Sequence, residues 1–277
     1  MACSAARAAY ALRGKWEQVM DDIRIAISGG VRRITLGRPA SLNALTPDMH
    51  YALEDAFNDF SAASEEHICV LTGEGRAFCA GTDLKAVVAS GGHRSYPPHG
   101  YGGIAQRFDC VKPIIAAVNG LALGGGFELA LACDLIIASD AASFGLPEPL
   151  VGAVALGGGV HRLARQIGQK QALGLILTSR RISADEALRL GIVNAVVPAG
   201  ELDAEVDRWC AEILAASPMS IRASKDAFYR GLDEPGVAQA LANQGDYPAY
   251  AAWRQSDDAR EGPRAFAEKR KPVWQGK

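Results

Sequence analysis

The sequence predicts an α/β fold with a helical C-terminal region, and three observations support this class. Short β-branched runs bounded by turn residues, "ICVLTG", "PIIAAV" and "DLIIAS", are typical of buried strands. Segments with apolar residues at helical spacing alternate with these runs. After "IVNAVVP" the helical spacing continues to the end of the chain. We therefore expect an α/β core over residues 22–200 and a helical region over 201–277.

Each element has its own local signal. A hairpin is expected in "IRIAISGGVRRITLGRP", which alternates apolar and polar residues around Gly29-Gly30. A helix is expected from Thr46-Pro47, where a capping residue and a proline precede helically spaced apolar residues. Ser183 and Glu186 have the spacing of a capping box. Two C-terminal helices are expected in "ELDAEVDRWCAEILAA" and "SIRASKDAFYRGL".

Composition excludes some classes of function. The 277 residues are 49% hydrophobic and carry a net charge of -2, so neither a nucleic-acid surface nor an anionic-membrane surface is indicated. The longest apolar run, 113–127, is too short to span a membrane. Six cysteines without a CxxC pair favour a reducing, cytoplasmic location. Residues 1–21 are expected to be a loosely attached extension, with a transit peptide as the alternative.

A loop rich in glycine, proline and serine, "ASGGHRSYPPHGYGG", covers residues 89–103 and contains His93 and His99. Loops of this length in compact domains are usually mobile or functional. This loop is therefore a candidate functional segment, and a helix is expected over 104–110.

A glycine run marks the first candidate site. "PIIAAVNGLALGGGFELALACD" indicates a strand, a turn at Gly124-Gly125-Gly126, and a helix starting near Phe127. The first N–H groups of a helix have no partner inside the helix, and they favour negative charge. The chain contains neither GxGxxG nor GxxxxGK[ST], which disfavours a nucleotide site.

Two carboxylates lie in otherwise apolar segments. Glu128 is in the first turn of the expected helix, where it is either a partner of the helix dipole or a functional acid. Glu148 stands between Pro147 and Pro149, so we expect it in extended geometry on a stiff segment. The alternative for Glu148 is a loop acid in water.

A second strand-turn-helix junction lies in "GEGRAFCAGTDLK", residues 73–85, at Ala80-Gly81-Thr82-Asp83. Two such junctions facing each other would aim two backbone N–H groups at one oxygen, which forms an oxyanion hole. Together with two carboxylates, this arrangement predicts chemistry beside a carbonyl group.

The motifs "NALTPDM", "GRAFCAGTDLK", "NGLALGGGFELALACD" and "FGLPEPLVG", in this order and spacing, resemble those of the enoyl-CoA hydratase/isomerase superfamily, the crotonases. The resemblance covers roughly residues 22–274. It implies a spiral of ββα repeats followed by C-terminal helices that pack into trimers, commonly paired into hexamers.

The resemblance also implies roles for individual residues. The N–H groups of Thr82 and Gly125 would bind the thioester oxygen of an acyl-CoA, with Thr82 standing where most members have alanine or glycine. Glu128 would position and deprotonate water, and Glu148 would deliver a proton to the α-carbon. No separate cofactor is implied, because coenzyme A is part of the substrate.

An enoyl-CoA hydratase of fatty acid metabolism is therefore expected. Related isomerases often lack an acid at the position of Glu128, so this residue favours water addition. Ala155-Leu156 replaces the family's usual Pro-Gly beside the catalytic water, which is compatible with a dehydratase or an unusual acyl group. Isomerisation, C–C cleavage and a non-catalytic RNA-binding scaffold remain alternatives.

Further binding residues follow from the same motif match. For Lys85, a solvated helix lysine is the alternative to a phosphate ligand. The residues expected to contact coenzyme A or the acyl group, the last two from a neighbouring subunit, are Arg38, Ala80, Asp83, Leu84, Lys85, Tyr101, Phe108, Phe266 and Lys269.

Other candidates are disfavoured. Cys79 has no evident base nearby and is better explained as a small buried residue. His161 shares a helix face with Arg162 and Arg165, and is expected at the surface. No cluster with metal-ligand spacing occurs, so a metal site is not expected.

Overall fold

The computed structural model describes residues 21–91 and 95–277. Its main sheet has six strands in the order β1-β2-β3-β5-β7-β10, of which only β1 and β2 pair antiparallel. The Gly29-Gly30 turn closes this hairpin, as predicted. The bounds are β1 Ile23–Ser28, β2 Val31–Leu36, β3 Ile68–Gly73, β5 Ile114–Val118, β7 Leu135–Ser139 and β10 Ala195–Val197.

A second sheet consists of four short strands. It contains β4 Ala77–Cys79, β6 Leu121–Leu123, β8 Ser143–Gly145 and β9 Ile182–Ser183, in that order. Along the chain, β3 of the main sheet is followed directly by β4 of the second sheet, β5 by β6, and β7 by β8. A helix follows β4 and β6, so the chain forms the expected spiral of ββα repeats.

Eleven α-helices lie within the described residues. Those of the core are α1 Pro47–Ala62, α2 Leu84–Ala89, α3 Gly125–Ala132, α4 Gly159–Ile167, α5 Gln169–Thr178 and α6 Ala184–Arg189. Those of the C-terminal region are α7 Leu202–Leu214, α8 Pro218–Asp233, α9 Val237–Asn243, α10 Pro248–Gln255 and α11 Asp257–Ala267. Thr46 caps α1 by accepting a hydrogen bond from the N–H of Met49, as its sequence position predicts.

The main sheet is covered on both faces, which explains its continuous apolar strands. In β3, Cys69 and Leu71 contribute to a large core that includes the most buried aromatic rings, those of Phe57, Phe60, Phe78, Phe127 and Phe144. Ile68 and Val70 face the opposite side and pack with residues of α7. The two-residue period of a strand therefore divides one apolar run between two cores.

Three sequence expectations need correction. No helix forms over 104–110: Tyr101–Gly103 is a single 3₁₀ turn and the chain beyond it is irregular. Helix α3 begins at Gly125, two residues before the expected start. Glu148 is not extended, because it begins a 3₁₀ turn, Glu148–Val151, in which Pro149 occupies an early position that needs no N–H donor.

Other expectations are met in part or lie outside the described residues. Ser183 accepts a hydrogen bond from the N–H of Glu186, but the Glu186 carboxylate binds Arg180, so only half of the capping box forms. Residues 1–20 of the expected extension and His93 are not described. Within the described part of the chain, no helix is long and apolar enough to cross a membrane.

Candidate active site

The first junction leaves the N–H of Thr82 free. A parallel bridge joins Leu45 to this segment through two hydrogen bonds, from Leu45 N–H to the Gly81 carbonyl (2.7 Å) and from Asp83 N–H to the Leu45 carbonyl (2.9 Å). Because alternate peptide groups of an extended chain point in opposite directions, the N–H of Thr82 points away from Leu45. It has no acceptor among the described residues.

The second junction leaves the N–H of Gly125 free. Gly125 is the first residue of α3, so its N–H has no acceptor inside the helix. Gly124 precedes it at φ 56° and ψ -130°, a conformation that strongly favours glycine. The two junctions are in contact, since a Cβ atom placed on Gly81 would lie 3.1 Å from the Gly125 nitrogen. The structure thus brings together the two proposed oxyanion-hole residues.

Glu128 lies one turn into α3 and is only 4% exposed. Its Oε1 accepts a hydrogen bond from the N–H of Gly159 at 2.8 Å. The pKa of Glu128 is raised from 4.5 to about 7, mainly by burial and also by the nearby charge of Glu148, against the opposing hydrogen bonds from the N–H groups of Gly159 and Gly157. A carboxyl with this pKa is partly ionised near neutral pH, so it can act as a general base.

Glu148 approaches the same place from the other side. A Cβ atom placed on Gly124 would lie 3.1 Å from Glu148 Oε1, so this carboxyl lies over the start of α3. Its Oε2 is buried without a hydrogen-bond partner among the described residues. Burial raises the pKa of Glu148, which favours the protonated form. When it carries a proton, a carboxyl with a buried, unpaired oxygen is suited to donating that proton to a ligand.

Tyr101 completes the site and is held there by α1. His99 bonds Glu54 through Nδ1 and Oε1 (2.6 Å), and the N–H of Gly102 donates to His50 Nδ1 (3.0 Å). These contacts fix the end of the long loop, so that the Tyr101 ring covers Gly125. A Cβ atom on Gly125 would lie 2.2 Å from that ring and its hydroxyl. The sequence expectation that Tyr101 belongs to the pocket is consistent with this position.

The residues expected near coenzyme A surround the first junction. Asp83 caps α2 by accepting a bond from Ala86 N–H (3.0 Å), and it pairs with Arg38 at 3.0 Å. Arg38 also contacts Asp22 and donates to the Ala44 carbonyl, so its guanidinium is already engaged within the protein. Ala80 donates its N–H to the Leu42 carbonyl, which fixes the chain before the junction. Leu84 and Lys85 are exposed at the start of α2.

Three predicted contact residues lie at the surface. Phe108 is 80% exposed, with the Arg162 guanidinium over its ring at 5.9 Å. Phe266 is 86% exposed at the end of α11, and Lys269 follows it in a left-handed conformation at φ 55°. Within one chain these side chains do not meet the acids. The place of Phe108 in an acyl pocket, and the contact of Phe266 and Lys269 with a neighbouring subunit's substrate, remain predictions.

Sequence reasoning missed the residues that surround Glu128. A Cβ on Gly157 would lie 2.7 Å from Glu128 Oε2, and one on Gly159 would lie 3.0 Å from Oε1. Arg162, which the sequence places on a helix face with His161, is largely buried and donates to the Ala105 carbonyl. The "GGG" run at 157–159, where α4 begins, is the sequence signal that could have identified these neighbours of Glu128. Leu156 turns outward and is 71% exposed, whereas Ala155 is buried.

The structure places Cys79 and His161 as the sequence predicts. Cys79 is fully buried, and burial raises the pKa of its thiol to about 12. His161 is exposed on α4. Residues 21–91 and 95–277 contain no group of three or more side chains arranged to hold a metal ion.

The fold and the paired acids place this chain among proteins of known type. It is 40% identical to the carnitinyl-CoA dehydratase of Salmonella typhi over 93% of this chain and 99% of that protein. Enoyl-CoA hydratase structures from Mycobacterium tuberculosis and Mycobacterium marinum align with TM-scores of 0.85 and 0.86, at 34% and 36% identity. Each covers 93% of this chain and 100% of its own. The chain belongs to the enoyl-CoA hydratase/isomerase family, whose pattern matches residues 26–277.

Proposed function

We propose that this protein is an acyl-CoA hydro-lyase that adds water reversibly, in syn geometry, across the 2,3 double bond of an enoyl-CoA thioester. The observation that carries the proposal is the convergence of Glu128 and Glu148 on α3, beside two free backbone N–H groups. An isomerase needs one proton-transferring carboxyl, whereas water addition uses two.

Each group has a task in the proposed reaction. The N–H groups of Thr82 and Gly125 bind the thioester oxygen and stabilise the negative charge that develops there as the enolate forms. Ionised Glu128 takes a proton from water as the oxygen adds to the β-carbon. Protonated Glu148 donates its proton to the α-carbon. In the reverse direction the same groups exchange roles and release water.

Dehydration is the second candidate for the physiological direction. The specific observation is the 40% identity with carnitinyl-CoA dehydratase across almost the whole length of both chains. Because Leu156 is exposed, the residues next to the Glu128 carboxyl are Gly157 and Gly159, which have no side chains. The acidic pair is the same in both directions, so the equilibrium and the acyl group decide which reaction is used.

We also propose that the protein assembles as a trimer or a dimer of trimers in the cytoplasm. Large apolar side chains are exposed along the C-terminal helices, which supports a covered surface there: Phe228, Leu232, Val237 and Leu241. The described cysteines are all free and buried, which is compatible with a reducing compartment.

The test of the proposed reaction uses the purified protein with crotonyl-CoA in water labelled with ¹⁸O. We expect labelled oxygen in 3-hydroxybutyryl-CoA at one atom per turnover, and its loss in the reverse reaction. Migration of the double bond without incorporation of label would instead identify an isomerase. Absence of turnover across short, branched and carnitinyl substrates, with retained affinity for RNA, would identify a binding protein.

A further inference from the structure

The hydroxyl groups of Thr82 and Tyr101 form a pair at the edge of the oxyanion hole. Thr82 Oγ1 and Tyr101 Oη lie 3.3 Å apart, and neither has another hydrogen-bond partner among the described residues. Each hydroxyl carries one hydrogen, and the bond between them uses only one. One O–H donor of the pair is therefore unused.

The direction of the internal bond follows from the surroundings of the two residues. Tyr101 is 4% exposed and packs against the rings of His50 and Tyr96, with centroids 4.6 and 5.5 Å away. Burial raises the pKa of the Tyr101 hydroxyl well above its ordinary value, so it stays protonated. Thr82, in contrast, lines an open pocket. In the arrangement that leaves no buried donor unpaired, Tyr101 donates to Thr82, and the Thr82 hydroxyl directs its own hydrogen into the pocket.

None of the described residues that line this pocket is charged at neutral pH. It is lined by Leu45, Pro47, His50, Thr82, Val87, Ser95 and Tyr96. Burial lowers the pKa of His50 to about 4, so the imidazole is neutral. Its Nδ1 accepts the bond from Gly102, which leaves the proton on Nε2. The polar groups offered to a ligand are therefore neutral, and they fit an uncharged oxygen acceptor better than a carboxylate.

Tyr101 connects this pair to the acidic part of the site. It covers Gly125, and a Cβ on Gly157 would lie 3.2 Å from Tyr101 Cβ and 2.7 Å from Glu128 Oε2. A group bound by the Thr82 hydroxyl would therefore lie near Glu128 and the start of α3. The oxygen exchanged at the β-carbon is handled by Glu128, so the pocket addresses a different oxygen of the substrate.

We propose that the Thr82 hydroxyl, oriented by Tyr101, is a specificity element that binds an uncharged oxygen carried by the acyl group beyond the 2,3 carbon pair. This inference rests on the proposed hydro-lyase function. Its substrates are enoyl-CoA thioesters with a hydroxyl or carbonyl group on the next carbons, in preference to plain alkyl chains of the same size.

The test compares 4-hydroxycrotonyl-CoA with trans-2-pentenoyl-CoA, which has a methyl group in place of the hydroxyl. The ratio of their kcat/KM values cancels any general effect of a substitution on the oxyanion hole. We expect the wild type to prefer the hydroxylated substrate, and Thr82→Val to lower this ratio about tenfold. Thr82→Ser, which retains the hydroxyl, should keep the ratio of the wild type. Tyr101→Phe should lower the ratio to a smaller extent than Thr82→Val, because the Thr82 donor loses its orientation.

Equal ratios in the wild type and Thr82→Val would overturn the inference and leave the proposed function intact. If the wild type turns over neither of these two substrates, the wider set of short, branched and carnitinyl substrates decides the proposed function, and affinity decides the inference. The measurement is the ratio of Kd values for 4-hydroxybutanoyl-CoA and pentanoyl-CoA, which have no double bond. Preferential binding of the hydroxylated ligand that Thr82→Val abolishes would support the subsite, and equal affinity in both proteins would overturn it.

Discussion

The substitution Glu128→Gln tests two separate properties of this buried residue, its role as a general base and its effect on stability. Glutamine has the size of glutamate and retains an oxygen that accepts the 2.8 Å bond from the N–H of Gly159. It cannot take a proton from water, so hydration should fall by about 10² to 10⁴, the usual contribution of a general base. An isomerase that relies on Glu148 would keep most of its rate.

The same substitution should stabilise the protein at alkaline pH. Burial raises the pKa of Glu128 from 4.5 to about 7, so in this interval the folded state holds a proton that the unfolded chain has released. Stability contributed by this group is therefore present below pH 4.5 and decreases as the pH rises to about 7. At 1.36 kcal/mol per pH unit, this interval corresponds to a loss of about 3 kcal/mol in the free energy of unfolding of the wild type. Glu128→Gln has no group that titrates at this position, so it does not show this loss.

The assay is urea unfolding of the wild type and Glu128→Gln at about pH 5 and about pH 8, beside hydration rates. The variant should be more stable by about 3 kcal/mol at the higher pH, and the difference should shrink towards pH 5. The matched control is Glu65→Gln, an exposed acid between α1 and β3, which should change neither quantity. A difference that is independent of pH would refute the buried-carboxyl argument, and full hydration activity would refute the general-base role.

Three further predictions address the acid, the backbone and the assembly. Glu148→Gln should lower turnover about 10²-fold or more without unfolding the chain, because its Oε2 has no partner to lose; circular dichroism and rates check this. Gly125→Ala should lower kcat about 10²-fold, since its Cβ would lie 2.2 Å from the Tyr101 ring. Gly174→Ala in α5 is the control: its Cβ would point into open space, and the substitution should stabilise the protein by about 0.5–1 kcal/mol. Phe228→Asp should shift the mass in light scattering from trimer or hexamer towards monomer, and an unchanged mass would place the contact surface elsewhere.

Local signals in the sequence were sufficient for most elements of the fold. The β-branched runs predicted β3, β5 and β7, because their side chains are buried on both faces. The capping residue Thr46 and the adjacent proline predicted the start of α1, because the groups that end a helix are adjacent in the chain. The expected helix over 104–110 was wrong, because the segment is held by long-range bonds, such as that from Arg107 to the Glu54 carbonyl.

By itself, the sequence determined most of the secondary structure, the family and the choice of the two acids proposed for catalysis, since these depend on residue type and spacing along the chain. The tertiary structure decided which groups surround those acids. Gly159 is 31 residues from the carboxyl it binds, and Thr82 is 19 residues from the Tyr101 hydroxyl. Burial and pKa depend on every neighbour within a few ångströms, and only the folded chain brings those neighbours together.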